Sequence, residues 1–243
     1  MLQKRGQLTI FIIIAIFIVG STILFYSFRT GILTNIFSPE VGKVNSFVQD
    51  CIEEESHKII YQIGENGGYF LPPNTSTDSG VAIYNSNGSN HMPSKKEVEE
   101  EISFFMDEKL FFCTRSFINF PELEITQKRI QTETQIENDK VILKINYPIS
   151  ISKESSTNLI SDFKFEVPLR IGIIYDSIAE FMKQETSDSI CLSCLLDVTL
   201  ENDLYVDMID YDERTTIFLF RDENFKINNE TFVWVFANEY EIG

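Results

Sequence analysis

The sequence predicts an α+β fold: an N-terminal transmembrane helix followed by an extracytoplasmic domain of helices packed on a largely antiparallel sheet. Three observations carry this. Residues 8–28 are uncharged and mostly apolar, directly after Lys4 and Arg5. Apolar residues at helical spacing recur over 39–64, 94–113 and 168–185, and runs with period-two alternation lie between and after them. Helical and strand stretches are grouped rather than strictly alternating, which favours helices on an antiparallel sheet over a doubly wound parallel one.

The first element is the apolar run. Twenty-one residues without a charge, at about 1.5 Å of rise each, span roughly the 30 Å hydrocarbon core of a bilayer. A secretory signal would have an apolar core of about 7–15 residues ending at a small-residue site. This run is longer and continues through Ile23, Leu24, Phe25 and Tyr26 without an A-x-A pattern. Lys4 and Arg5 precede it and Arg29 alone follows closely, so the positive-inside tendency places 1–7 in the cytoplasm, 8–28 in the membrane and the rest outside. Residues 29–38 form a juxtamembrane connector, and 39–243 form the extracytoplasmic α+β domain.

Ser38-Pro39 reads as a helix start, with Pro at the first helical position. Val41, Val44, Phe47, Val48, Cys51, His57, Ile59 and Ile60 form its apolar stripe. It should end near Gly64, before the turn chemistry of Glu65-Asn66-Gly67-Gly68. Residues 72–93, rich in Pro, Gly, Asn and Ser, read as a long loop with one short strand over 81–84. Ser94 with Glu97 forms a capping box for a second helix, with Val98, Ile102, Phe105, Leu110 and Phe112 as core candidates. Strands follow over 123–129, 130–136, 141–147 and 163–167, with Asn138-Asp139 as a hairpin turn. Residues 168–185 return to helical spacing through Leu169, Ile173, Ile174, Ile178, Phe181 and Met182. Strands over 204–209, 215–220 and 231–236 close the chain.

Composition narrows the function classes. The first 29 residues hold three of the 20 basic residues and none of the 37 acidic ones, so the remainder carries a formal −20. Such a surface repels nucleic acid and anionic lipid headgroups. The expected partners are the lipid bilayer and, through the head or the membrane helix, other envelope proteins or copies of the same chain.

Cys191-Leu-Ser-Cys194 is the sharpest local pattern. Two thiols at this spacing form a short disulfide, ligate a metal or act as a redox pair. A zinc site would need Cys51 and Cys113 to complete four thiolates. A redox site would need Cys191 at a helix N-terminus, which Ser187, Asp188 or Ser189 could cap. The expectation is structural: a long-range Cys51–Cys113 disulfide, because both lie on the apolar sides of separate helices, and Cys191 bonded to Cys194. The only histidines are His57, on or beside the first stripe, and His91, in a polar loop. No HExxH, nucleophile elbow, Walker A loop or dinucleotide fingerprint occurs, and no catalytic residue, metal or cofactor is assigned. Glu53-Glu54-Glu55 and Glu99-Glu100-Glu101 read as solvated helix faces. Asp207, Asp210, Asp212 and Glu213 are considered for calcium, without an EF-hand pattern. Asn74, Asn87 and Asn229 open N-x-S/T sequons and are glycosylation candidates.

Lys4-Arg5-Gly6-Gln7-Leu8-Thr9, followed by the apolar run, resembles the class III signal of archaeal type IV pilin-like proteins. The resemblance covers about 25 residues. It implies peptidase processing between Gly6 and Gln7, and a retained apolar helix that packs with its neighbours in a filament. The family often has Glu at the fifth mature position, where this chain has Phe11. The leading expectation is a non-enzymatic, single-pass cell-membrane protein whose outer domain contacts other envelope components. The alternatives are a pilin-like filament subunit and a membrane-tethered thiol-disulfide protein using Cys191 and Cys194.

The anchor is testable directly. Arg in place of Ile14 and Ile18 adds about 2.5–3.5 kcal/mol each at mid-bilayer. The double variant should shift the chain out of the carbonate-resistant membrane fraction, and unchanged retention would argue against a lone spanning helix.

Overall fold

A computed structural model of the chain describes residues 39–154, 156–186, 188–227 and 230–241. The expected membrane helix, the Gly6-Gln7 processing site, the connector and Asn229 lie outside the described residues. Among the described residues no helix is long and apolar enough to cross a membrane. The chain divides into two compact units, 1–45 and 46–243. Of the first, only the opening turns of a helix, 39–45, are described.

The architecture is α+β, with four α-helices among the described residues. In chain order these are α1 (Pro39–Glu65), α2 (Lys95–Thr114), α3 (Ile171–Gln184) and α4 (Leu192–Asn202). The strands form two sheets rather than one. The first runs β2-β1-β9-β8-β7, built from β1 (Ile83–Ser86), β2 (Ser89–Asn90), β7 (Tyr205–Asp210), β8 (Thr215–Ile227) and β9 (Glu230–Glu239). Its pairings are antiparallel except β1 with β9, which is parallel. The second, wholly antiparallel, is centred on β5 (Val141–Lys153). β6 (Ser156–Val167) pairs along one side of β5. On the other side β3 (Glu124–Gln127) and β4 (Gln131–Ile136) meet successive halves of β5. They act as one edge strand broken at 128–130.

Pro148 explains both that break and the underestimated length of β5. Proline lacks the N–H a ladder needs and signals a strand end in a sequence. Here the β5–β6 register shifts between Asn146 and Ile149, and the Pro148 carbonyl still accepts from Lys128 N–H at 2.9 Å. The strand therefore bulges and continues, with Val141, Leu143, Ile145, Tyr147, Ile149 and Ile151 all buried. Lys144 and Asn146 face solvent between them.

From Val48 onward α1 buries Val48, Cys51, Ile52, Ser56, Ile59, Ile60 and Ile63. It ends in a glycine turn. Gly67 and Gly68 have φ of 62° and 87°, and Gly68 N–H bonds Ile63 O at 2.7 Å. A Cβ on Gly64 would lie 2.6 Å from the Phe232 ring, so the helix end lies directly on β9. α3 covers the same face of the first sheet, with Phe181 against Phe218 at 5.4 Å and Tyr175 edge-on to Trp234 at 6.0 Å. Trp234 Nε1–H donates to Tyr84 Oη at 2.9 Å, and Tyr84 donates to Gly67 O at 2.7 Å. This buried relay ties β9, β1 and the α1 turn together.

The capping box at α2 is present: Glu97 N–H donates to Ser94 Oγ at 3.2 Å, and Ser94 N–H to Glu97 Oε2 at 2.7 Å. Its core face, however, is Val98, Ile102, Met106, Leu110 and Thr114, and the expected core residue Phe112 is 64% exposed. The helix continues one face further round than the stripe read from the sequence. The Asn87-Gly88 turn, with φ of 51° and 70°, closes a β1–β2 hairpin where a loop with one short strand over 81–84 was expected; that strand lies at Ile83–Ser86 and β2 is its unforeseen partner. No element was expected at 191–202, where α4 buries Leu195 and Val198. Cys51 and Cys113 are bonded, with Cα atoms 5.9 Å apart, and join α1 to α2.

The paired Cys51→Ser and Cys113→Ser substitutions should lower unfolding free energy by about 4 kcal/mol in the chain-entropy account of a loop this long. Tyr84→Phe should cost about 1–3 kcal/mol, because Trp234 Nε1–H and Gly67 O lose their shared partner. Urea unfolding followed by circular dichroism measures both.

Candidate functional site: a groove beside α2

An unpaired strand edge exposes backbone N–H and C=O groups to other chains, and folded proteins cover or blunt it. β4 is such an edge, and α2 covers it with side chains. Ile136 N–H donates to Glu99 Oε1 at 2.8 Å. Two residues back, Thr134 N–H donates to Ser103 Oγ at 3.1 Å, and Ser103 bonds Thr134 Oγ1 at 2.8 Å. Glu99 and Ser103 are one helical repeat apart, as Ile136 and Thr134 are one strand repeat apart. Continuing both series leads to Asp107 and Thr132. There the series weakens: the Asp107 carboxyl lies beside the Thr132 N–H, while Asp107 Oδ1 and Thr132 Oγ1 are buried without a close hydrogen-bond partner.

At that point the edge strand breaks and a groove of about 470 Å³ opens between α2 and residues 127–130. Phe104 and Phe111, two turns apart on α2, line it and are 59% and 49% exposed. Gln127, Lys128 and Arg129 line the facing side, with Lys128 and Arg129 exposed. Gln127 is held by the hydroxyl of buried Tyr147, which also contacts Thr114 Oγ1 at 3.1 Å. Burial raises the Asp107 carboxyl above its ordinary 3.8, against the opposing pull of Thr132 and of Arg129. No ion pair within 4.0 Å holds Lys128 or Arg129 among the described residues. On a chain this acidic, two adjacent cations without a close ion pair stand out beside exposed phenyl rings, in a groove that Asp107 and Glu108 also line. Such a surface suits a segment that brings both an anionic group and apolar area.

The residues singled out in the sequence lie elsewhere. Cys191 and Cys194 are bonded to each other, and Cys51 to Cys113, so the four sulfurs make no four-thiolate site. His57 is half-buried with its ring 6.0 Å from that of Phe165, and burial lowers its pKa. His91 is exposed. Glu54 and Glu55 pair with Lys58. The second glutamate run is not simply a solvated face: Glu99 caps Ile136, and Glu101 Oε2 accepts from Phe70 N–H at 3.1 Å. Both carboxylates satisfy backbone donors that no strand or helix reaches. Asp207 pairs with Arg221 at 2.6 Å, and Asp212 accepts from Arg214 and Thr215 N–H at 2.8 Å each. Among the described residues no group of three His, Cys, Asp or Glu is placed to hold a metal. Asn74 and Asn87 are exposed. The groove itself left one faint sign in the sequence, the Lys128-Arg129 pair in an acidic chain, but its aromatic wall is visible only once α2 is seated.

Because the Asp107 pKa is raised in the folded state, its ionisation opposes folding. The penalty is absent below about pH 3.8, grows as pH rises through the folded value and persists above it. Asp107→Asn should therefore raise the urea midpoint at pH 7 and leave it unchanged at pH 3.5; a lower midpoint at pH 7 would contradict this reading. No protein-family model, curated protein or solved structure matches the chain.

Proposed function

We propose that this chain is a single-pass membrane protein that displays an α+β domain outside the cell and uses the groove beside α2 to hold an acidic segment of a neighbouring envelope protein. The groove carries the reading: Lys128 and Arg129, in no ion pair within 4.0 Å among the described residues, face exposed Phe104 and Phe111 across a groove that Asp107 and Glu108 also line, on a domain whose formal charge is otherwise strongly negative. Complementary charge would steer such a partner, and the phenyl rings would supply the buried area. The uncharged run 8–28 supports the anchor, and the charge asymmetry around it supports the orientation. On this reading the groove acts by contact, without catalysis.

A pilin-like filament subunit is the second reading. Gly6-Gln7 ahead of the apolar run favours it, as does a 27-residue α1 that leads into the sheet domain. A mature N-terminus at Gln7 would support processing, and Met1 would argue against it.

The contact role is tested on the full chain extracted in mild detergent. Lys128→Glu with Arg129→Glu should reduce its retention on isolated envelopes about tenfold, equivalent to about 1.4 kcal/mol. Phe104→Ala with Phe111→Ala should act in the same direction, while circular dichroism stays unchanged. Equal retention of all variants would remove the groove from the interaction, and a protease-protected domain in intact cells would overturn the topology.

A further inference from the structure

The two disulfides differ in setting. Cys51–Cys113 links two helices across 62 positions, and Cys51 is buried. Cys191–Cys194 spans three positions, and both cysteines are half-exposed beside exposed Leu192 and Ser193. Cys191 is the N-cap residue of the 11-residue α4. The first helical bond runs from Leu195 N–H to Cys191 O at 3.0 Å, so the amides of Ser193 and Cys194 precede the intrahelical ladder. An N-cap side chain is the natural acceptor for those two amides. A Cys191 thiolate released by reduction would take that position and gain the favourable end of the helix dipole.

Glu185 stands beside this pair. Glu185, the C-cap residue of α3, accepts from Cys191 N–H through Oε1 at 3.2 Å, and its carboxyl also lies against Thr186 and Tyr240. Burial raises the Glu185 carboxyl, against hydrogen bonds from Cys191, Thr186 and Tyr240. The tight loop also gives the bond little hold through chain entropy. Position, access and loop length agree.

We propose that Cys191 and Cys194 form a reversible dithiol–disulfide pair that exchanges with cysteine-bearing exported proteins, with Cys191 as the attacking sulfur. In the reduced pair, the Cys191 thiolate attacks one sulfur of a substrate disulfide. A Cys191–substrate bond forms as the substrate S–S bond breaks, and the departing thiolate takes a proton from water. Cys194 gives its proton to water and attacks Cys191 Sγ, expelling the second substrate thiolate. Two electrons pass to the substrate, and the pair returns to the bonded form seen in the structure. The same steps in reverse, with the dithiol of another protein, reload it. This activity goes beyond the contact role and does not depend on it.

Glutathione buffers of graded ratio, applied to the detergent-extracted full chain and followed by acid quench, alkylation and peptide mapping, test the pair. The expected result is reversible conversion of the Cys191–Cys194 peptide while Cys51–Cys113 stays bonded and the circular dichroism is native. In Cys194→Ser, Cys191 should be alkylated at pH 7 about tenfold faster than in the same chain denatured, and should form a mixed disulfide with oxidised glutathione. A pair that resists glutathione until the chain unfolds would overturn the proposal. So would a Cys191 no faster in the folded variant than in the denatured one. Should Cys194→Ser not fold, the glutathione titration of the unaltered chain decides alone.

Discussion

Val48, Cys51, Ile52, Ile59, Ile60 and Ile63 lie along one side of α1, and burying that side is the constraint that both sheets and α2 help the described domain meet. A single amphipathic helix gains little stability on its own and relies on packing of its apolar face. The C-terminal turns of α1 meet the first sheet, where Tyr61 approaches the Phe232 ring at 5.8 Å and Gly64 admits no side chain. Its middle meets the second sheet through His57 and Phe165. Nearer its start, Phe47 packs against Phe117 and Phe120 at 6.3 and 5.5 Å, and Cys51 is bonded to α2. The second sheet turns Lys144, Asn146 and Lys164 to solvent on its other face.

α2 then solves a problem that α1 does not reach. With β6 along one side of β5, the other side ends in a broken edge strand whose outward N–H groups need acceptors. Glu99 and Ser103 supply them. The cover thins where Pro148 and the bulge part the strand, and there Asp107 Oδ1 and Thr132 Oγ1 are buried without a close hydrogen-bond partner. The groove is thus a consequence of how the edge is closed. A proline in the centre of β5 costs the sheet its regular edge, and the gap that follows exposes Phe104 and Phe111 opposite Lys128 and Arg129.

Much of this architecture was legible in local sequence, because local rules govern it. The capping box at Ser94 and Glu97, the glycine turn after α1, and the periodicity of 168–185 all rest on neighbours a few residues apart. What could not be read rests on distant partners. β5 continues past Pro148 because Lys128, twenty positions away, bonds the Pro148 carbonyl. Glu99 and Glu101 looked like part of a solvated run, since nothing local says that the N–H groups of Ile136 and Phe70 await them. Two sheets rather than one follow from β9 pairing β1 across 150 residues, a choice that strand propensity does not encode. The groove is least legible of all: its phenyl rings belong to a helix whose sequence pattern placed Phe112 in the core and gave no rank to Phe104 or Phe111.

The cysteines show how one residue type serves opposite ends within one domain. Closing a long loop removes much of the freedom of the unfolded chain, so a bond such as Cys51–Cys113 acts on the fold as a whole. Closing a four-residue loop removes little. α4 is already begun by its own backbone bond from Leu195 to Cys191 and is held at its far end, where Arg170 donates to Asn202 O at 2.6 Å and pairs with fully buried Asp222 at 2.9 Å. The helix therefore has a footing that does not run through the Cys191–Cys194 bond. A bond on which the fold leans lightly, placed at an accessible helix end, is one that can open and close while the surrounding structure stays in place.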